Sequence, residues 1–350
     1  MPIVATVTAV VAALALSTGP AVAAPAPPSP APSPAPARPG PPAAIPGPAI
    51  TRVVATRPVR ERLRLRIYSA SMQREVVVDL QRPKGAEKSR DKRPTLYMLD
   101  GAEARDDQSG WYSQTDVGAL ASTQNVNVVT PVGDPHSYYT DWQRVDPGIG
   151  RKYMWETFLT RELPPIIDHD FGGSGRNAIA GASMGGLAAL TLAMRRPDLY
   201  TGVAGFSDCA NISSGPNKFF TEWDISRGGG NSMNMWGKFT DPDWAAHDPY
   251  VHADQLAGKT IYISSGNGIP ASYNNLAADP MNSTLAGMFL EFGSALCTGQ
   301  MSTRLKALNI AFTSNLRSSG THRWEYWKDE LHVAWPVLMN SLGLSAAPAP

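Results

Sequence analysis

The 350-residue chain has little charge and almost no cysteine. Only 17% of its residues are charged, the formal net charge is +1, and there are two cysteines. Nucleic-acid binding needs clustered basic surface, and no basic run here is long enough to supply it. Neither cysteine has the setting of a catalytic nucleophile, and no internal repeat is present. The 43% of hydrophobic residues are enough for one sizeable core or two modest ones.

The amino terminus carries an apolar run that is too short to cross a bilayer. Ile3 to Leu16 has the length of a signal-peptide core, and Ala21-Val22-Ala23 supplies the small-x-small cleavage pattern. No Lys or Arg precedes the run, which is unusual for such a leader. We predict a signal peptide over residues 1–23, and therefore a secreted or cell-envelope protein.

Proline and alanine dominate the segment that follows. Pro25 to Pro48 cannot build a core, so residues 24–50 are predicted to be a disordered, extended tether. The tether spaces the folded part from a cell wall or is an inert leader. The folded domain is predicted over residues 51–345, and residues 346–350 are a disordered tail.

Export determines the expected state of Cys209 and Cys297. In an oxidising compartment a lone pair of cysteines is expected to be joined. The disulfide would close a long loop, for which the chain-entropy model allows about 4 to 5 kcal/mol.

The folded part begins with alternating strands and continues with buried ones. Leu63–Tyr68 alternates with period two and Glu75–Leu80 follows it, as is typical of half-exposed antiparallel strands. Continuous apolar runs, typical of buried parallel strands, lie at Thr95–Leu99, Val126–Val132, Asn177–Ala182, Gly202–Phe206 and Thr260–Ser264. Helix-like stretches lie at Val117–Ser122, Trp155–Asp168, Leu187–Arg195 and Thr284–Cys297. This order predicts a mostly parallel, doubly wound α/β sheet with antiparallel N-terminal strands.

The motif Gly181-Ala182-Ser183-Met184-Gly185 joins one of these strands to the next helix. Gly-x-Ser-x-Gly in that context is a nucleophile elbow, where the serine hydroxyl is exposed at the end of the strand. A glycine-rich turn without chemistry is the alternative. Asp100, Ser183 and Gly266 all follow strands, at the edge where doubly wound sheets form their sites.

A serine nucleophile needs a histidine base and an orienting acid, which follow in the order serine, acid, histidine in α/β hydrolases. His322 lies in a loop of small residues and is the preferred base. His332 shares a helix-like pattern with Trp327, Leu331 and Trp335, and His247 lies in a polar loop before Asp248-Pro249. The acid candidates are Asp248, Asp254, Asp279 and Glu291, and the pattern favours Asp279 and Glu291 equally.

The oxyanion of such a reaction needs two backbone N–H donors. One is expected from Met184, directly after the nucleophile. The other is expected from the loop Leu99-Asp100-Gly101-Ala102, from the amide of Ala102. Such chemistry needs neither a cofactor nor a metal ion.

Beyond these motifs, the chain resembles the mycolyltransferases of the antigen 85 complex and their corynebacterial relatives over nearly the whole folded part. The matching strings are Leu99-Asp100-Gly101, Asp106-Asp107, Gly110-Trp111, Thr130-Pro131-Val132-Gly133, Tyr139-Thr140-Asp141-Trp142, Trp155–Thr160, the serine elbow, Met235-Trp236-Gly237, Asp241-Pro242 with Trp244, Gly266-Asn267-Gly268, Phe289-Leu290-Glu291, and Gly320-Thr321-His322 with Trp324 and Tyr326-Trp327. A generic esterase would share only the elbow.

The resemblance implies an α/β-hydrolase fold and assigns the residues that the pattern left open. It implies that Glu291 is the acid, that the Ala102 and Met184 amides hold the oxyanion, and that Asp100 contacts a sugar. Glu103 and Trp324 are placed with Asp100 among the substrate-binding residues.

Two positions depart from the family pattern. Glu103 stands where many members have arginine, which puts trehalose binding or its geometry in question, and Arg105 is a possible substitute. Ser265 stands where the mycobacterial proteins carry a cysteine, so sensitivity to thiol reagents is not expected here.

The resemblance implies a secreted acyltransferase that moves a mycolyl group from trehalose monomycolate to a second glycolipid or to cell-wall arabinogalactan through an acyl-serine. Trehalose mycolates or related glycolipids, arabinogalactan and a peripheral association with the cell envelope are the expected partners. The alternatives are a hydrolase with the same triad and water as acceptor, and a surface protein that only binds.

Overall fold

The computed structural model describes residues 50–86, 89 and 91–346. The predicted signal peptide, the predicted tether up to residue 49 and the tail from residue 347 lie outside the described residues. The strands are β1 Arg52–Val59, β2 Arg62–Ser69, β3 Arg74–Gln81, β4 Arg93–Leu99, β5 Asn127–Val132, β6 Gly173–Ala182, β7 Tyr200–Phe206, β8 Thr260–Ser265 and β9 Thr313–Leu316.

Helices connect most of the strands. They are α1 Gly110–Gln114, α2 Val117–Ser122, α3 Trp155–Thr157, α4 Leu163–Asp170, α5 Met184–Arg195, α6 Gly215–Arg227, α7 Ser232–Met235, α8 Asp243–Ala246, α9 Met281–Ala307 and α10 Trp324–Ser341. A π-helical segment, Phe158–Glu162, joins α3 to α4, and a 3-10 turn covers Ala253–Leu256.

All strands of the described chain belong to one sheet in the order β1-β2-β3-β5-β4-β6-β7-β8-β9. The pairs β1–β2, β2–β3 and β3–β5 are antiparallel. From β5 to β9 the neighbouring strands are parallel. The predicted doubly wound sheet with antiparallel N-terminal strands is therefore confirmed.

Apolar residues cover both faces of the parallel part. In β4, Leu96 and Met98 face a core that includes α10, whereas Tyr97 and Leu99 face the core that includes α5. All seven residues of this strand are buried. This explains why the parallel strands appear in the sequence as continuous apolar runs rather than as alternating ones.

Several elements differ from the sequence expectation. The stretch Trp155–Asp168 was expected to be one helix, but it is divided into α3, the π-helical segment and α4, which ends at Asp170. The helix predicted over Thr284–Cys297 is the centre of α9, which has 27 residues. Helix α6 was not predicted. Within the described residues, no helix combines the length and apolarity needed to span a bilayer.

Candidate active site

Ser183 occupies a strained turn between β6 and α5. Its φ is 55° and its ψ is −120°, and its amide donates to the carbonyl of Phe206 at 2.8 Å. The flanking glycines are required sterically. A Cβ on Gly181 would lie 2.2 Å from the carbonyl oxygen of Gly185, and one on Gly185 would lie 2.4 Å from that of Leu99. The close contact between strand and helix therefore produces the elbow that the motif predicts.

His322 follows β9 in the loop before α10, and its ring is held by Glu291 of α9. The Nδ1 atom of His322 lies 2.8 Å from Oε2 of Glu291. The backbone amide of His322 also donates to the carbonyl of Gly287 on the same helix, at 3.0 Å. With Nδ1 engaged by a carboxylate, Nε2 is the ring nitrogen left to accept a proton.

The carboxylate of Glu291 is fully buried and has several donors. Oε1 accepts the Ser207 hydroxyl at 2.8 Å and also the amide of Gly266. Burial alone would raise the pKa of Glu291, but His322 and these donors hold the pKa below its ordinary value. The residue is therefore an anion that can stabilise an imidazolium at position 322.

The other candidate bases and acids have different partners. His332 bonds Asp116 at 2.8 Å, and His247 stacks on Trp236. Asp279 forms an ion pair with Arg323. Of the two acids that the sequence pattern left open, Glu291 is the one that contacts His322.

The loop after β4 lies against the elbow. A Cβ on Gly101 would lie 3.6 Å from Cβ of Ser183. The carbonyl of Ala102 accepts the amide of His136 at 3.0 Å, which anchors the loop. Ala102, Met184 and Ser183 all line one cavity. The two residues whose amides are predicted to form an oxyanion hole thus line the same cavity as the serine.

This cavity has a volume of about 690 Å³ and includes His322 in its lining. Much of its wall is apolar and comes from α5, α6 and α9. The wall includes Leu187, Ile212, Phe220, Trp223 and Leu290. A cavity of this size and polarity accommodates a long hydrocarbon group beside the serine.

Two charged residues of the cavity lining, Glu103 and Arg227, contact each other. Arg227, at the end of α6, donates to Glu103 at 2.8 Å, and its guanidinium lies 5.1 Å from the ring centre of Trp223. Arg105 instead pairs with Asp107. The cation that contacts Glu103 is thus Arg227, which the sequence did not suggest because it is 124 residues away from Glu103.

Trp324 lines the cavity, whereas Asp100 does not. Asp100 is buried outside the cavity lining, and its carboxylate accepts the Ser109 hydroxyl at 2.8 Å and the Gly110 amide at 3.0 Å. Burial raises the pKa of Asp100 to about 7. Trp324 packs edge-on against Trp111, with ring centres 5.3 Å apart. In this conformation Asp100 organises the start of α1, and its predicted sugar contact stays a prediction.

Sequence reasoning missed two residues beside the triad, Ser207 and Asp208. Ser207 has a positive φ of 51°. Its hydroxyl contacts Glu291 and accepts the indole N–H of Trp327 at 3.0 Å, so that it links the two residues. Asp208 lines the cavity while 4% exposed, and burial raises its pKa to about 7. The only signal for either was its position directly after a buried parallel strand.

Cys209 and Cys297 form a disulfide, as predicted. The bond joins the segment after β7 to the middle of α9, six residues beyond Glu291 on that helix. Both cysteines line the cavity. The disulfide thus connects two of the elements that form the cavity wall.

The fold and the geometry around Ser183 are those of an α/β hydrolase. Residues 69–338 match the Esterase family. The chain is 36% identical over 292 residues to the diacylglycerol acyltransferase/mycolyltransferase Ag85A of Mycobacterium leprae, covering 80% of this chain and 83% of that protein. It is 32% identical to the Ag85B protein of Mycobacterium avium, with the same coverage. The crystal structure of Mycobacterium tuberculosis MPT51 (FbpC1) matches with a TM-score of 0.69 and 24% identity, covering 81% of this chain and 100% of that one.

The chain therefore belongs to the antigen 85 mycolyltransferase family of esterases. The resemblance and the α/β-hydrolase fold predicted from the sequence are both confirmed.

Proposed function

We propose that this protein is a serine acyltransferase that moves a mycolyl or other long acyl group between sugar hydroxyls. The observation that carries the proposal is the hydrogen bond between His322 and buried Glu291, beside a cavity that also holds the strained Ser183. The relatives' names, acyltransferase and mycolyltransferase, support the same class of reaction.

The first half-reaction forms an acyl-enzyme. The Ser183 hydroxyl attacks the ester carbonyl of trehalose monomycolate and passes its proton to Nε2 of His322. Glu291 stabilises the resulting imidazolium. The amides of Ala102 and Met184 bind the oxyanion, and each such donor contributes about 10²- to 10³-fold in rate. The C–O bond to the sugar then breaks, and the leaving oxygen takes the proton from His322.

The second half-reaction returns the enzyme to its starting state. A hydroxyl of another trehalose monomycolate, or of cell-wall arabinan, gives its proton to His322 and attacks the acyl-serine carbonyl. The bond to Ser183 breaks, and the serine recovers the proton from His322. The same residues serve both steps, so transfer rather than hydrolysis depends on a sugar reaching the acyl-enzyme before water does.

The proposed sugar site is the part of the cavity lined by Glu103 and Arg227, together with Trp324 of the same lining. Glu103, Arg227 and Trp324 supply an acceptor, a donor and an aromatic face there. These are the groups that commonly bind sugar hydroxyls and the faces of pyranose rings. In this proposal Arg227 supplies the cation that the family places after the oxyanion residue.

The cell envelope, reached by export, is the compartment proposed for this reaction. The proposal rests on the apolar leader and on the disulfide, because disulfides persist in oxidising compartments. Arabinogalactan as acceptor and a peripheral association with the envelope belong to the same proposal.

Product analysis tests the function. Purified protein is incubated with trehalose monomycolate, with and without added trehalose, and the lipids are separated by thin-layer chromatography and mass spectrometry. A transferase produces trehalose diester, and added trehalose competes as acceptor. Free mycolic acid without diester under both conditions would show a hydrolase instead. Loss of all products in Ser183→Ala is the matched control.

A further inference from the structure

Helix α9 presents an apolar stripe to solvent. Met281, Leu285, Phe289, Phe292 and Leu296 are between 43 and 75% exposed. Their spacings of four, four, three and four residues place them on one face of a helix. Large exposed apolar groups are ordinary when scattered, but a contiguous stripe indicates a binding surface.

The same helix has almost no charge to solvate that face. From Met281 to Thr303 the only charged residue is Glu291, which is fully buried against His322. The first cations of the helix, Arg304 and Lys306, lie in its last turn. A solvent-facing helix of a globular protein usually carries charged residues along its outer side, so this face is suited to an apolar partner.

A second apolar group stands beside the stripe, on α6. Phe219, Phe220 and Trp223 are 65, 44 and 48% exposed. The start of α6 is close to the centre of α9, because the amide group of Asn217 lies 3.8 Å from Sγ of Cys297. The two helices therefore form one composite surface, which we term the α6–α9 face.

The α6–α9 face is continuous with the opening of the active-site cavity. Phe220, Trp223 and Phe289 are exposed and also belong to the cavity lining. Residues with both properties lie at the rim. An acyl chain that leaves this rim therefore meets the apolar side chains of the two helices first.

We propose that the α6–α9 face docks the enzyme on a layer of acyl lipids, with the cavity opening directed into the layer. This inference rests on the proposed function, since the occupant follows from the continuity of the face with a cavity for an acyl chain. Docking lets the chain pass from lipid to cavity without crossing water. Exposed Phe, Trp and Leu on a helix that lies in the interface are the side chains that bind such layers.

The test compares vesicle binding by the full chain and two double variants. Phe292→Ser/Leu296→Ser removes two stripe residues that are outside the cavity lining. Val54→Ser/Val333→Ser removes two exposed apolar residues from β1 and α10 as the matched control. Phosphatidylcholine vesicles with and without trehalose monomycolate are sedimented, and turnover of soluble p-nitrophenyl butyrate reports the integrity of the site.

We expect the stripe variant to lose about 10- to 100-fold in vesicle partitioning. The control should bind as the unaltered protein does, and all three should turn over the soluble ester equally. Vesicle binding that is equal in both variants, or absent in the unaltered protein, overturns docking. So does a dimer, seen by light scattering, that the stripe variant dissociates. Vesicle binding by a protein that shows no acyl transfer would support docking and contradict the proposed function.

Discussion

Replacing Glu291 by glutamine tests the proton relay with the smallest change in shape. The Gln oxygen still accepts from Ser207 and Gly266, which occupy Oε1 of the native residue. Its NH₂ group then faces Nδ1 of His322, where Oε2 lay at 2.8 Å. Nδ1 must accept that hydrogen bond, so the ring proton moves to Nε2, which can no longer take the proton of Ser183.

The expected loss of acylation rate in Glu291→Gln has two causes. The His322 ring is held in the wrong tautomer, and the negative charge of Glu291 is absent. Changing the acid of a serine triad to its amide costs about 10³- to 10⁴-fold in acylation, which corresponds to about 4 to 5.5 kcal/mol. The assay is the pre-steady-state burst with p-nitrophenyl butyrate, and thermal unfolding serves as a check on the fold. Asp279→Asn is the matched control, because Asp279 was the equal candidate in the sequence and pairs with Arg323.

The control should change acylation by no more than about threefold, as expected for a partly exposed ion pair. A loss smaller than about tenfold in Glu291→Gln, with the fold intact, would refute the assignment of the acid. An equal loss in Asp279→Asn would refute it as well.

Three further predictions concern stability. The pKa of Asp208 is about 7 in the folded protein, above its ordinary value of 3.8, so the folded state binds the extra proton and stability falls as the pH rises from about 4 to 7. We therefore expect the free energy of unfolding of Asp208→Asn, measured in urea, to rise relative to that of the unaltered protein by up to about 4 kcal/mol from pH 4 to pH 8. A difference in unfolding free energy that does not change with pH would contradict this. Removing the disulfide with Cys209→Ser/Cys297→Ser should lower the free energy of unfolding by about 4 to 5 kcal/mol, because the disulfide spans 88 residues. A decrease below about 1 kcal/mol would contradict the chain-entropy model of disulfide stabilisation. In Gly185→Ala the new Cβ would lie 2.4 Å from the carbonyl oxygen of Leu99. The melting temperature should therefore fall, with a loss of about 1 to 3 kcal/mol in the free energy of unfolding. An unchanged melting temperature would mean that the elbow tolerates a side chain.

The sequence predicted the strands that show a regular apolar pattern, which alternates in β2 and β3 and is uninterrupted in the central strands. The central strands appear as uninterrupted apolar runs because both of their faces are covered. Strand β1 was missed because most of its residues are exposed. Strand β9 was missed because it has only four residues, three of them polar, and is mostly exposed. Helix α6 was missed for a related reason: its large apolar residues, Phe219, Phe220 and Trp223, face outward, so its buried side gives no clear period.

The nucleophile could be predicted from the sequence because the glycines that it requires are local. The acid could not, since it depends on which side of α9 is buried against the sheet. Glu291 interrupts the apolar residues of that helix and points inward, whereas the exposed stripe carries the residues that a periodicity argument would place in a core. The pairing of Glu103 with Arg227 likewise depends on tertiary contact between distant segments. The residue pattern left Asp279 and Glu291 as equal candidates, and only the family resemblance chose between them before the structure did.

Covalent trapping tests whether Ser183 is the nucleophile. The protein is mixed briefly with a short-chain trehalose monoester, quenched in acid and analysed by intact mass and by peptide mapping. We expect an adduct of the acyl mass on the peptide that contains Ser183, and its faster discharge when trehalose is added. Turnover without an adduct, or an adduct on another residue, would contradict it.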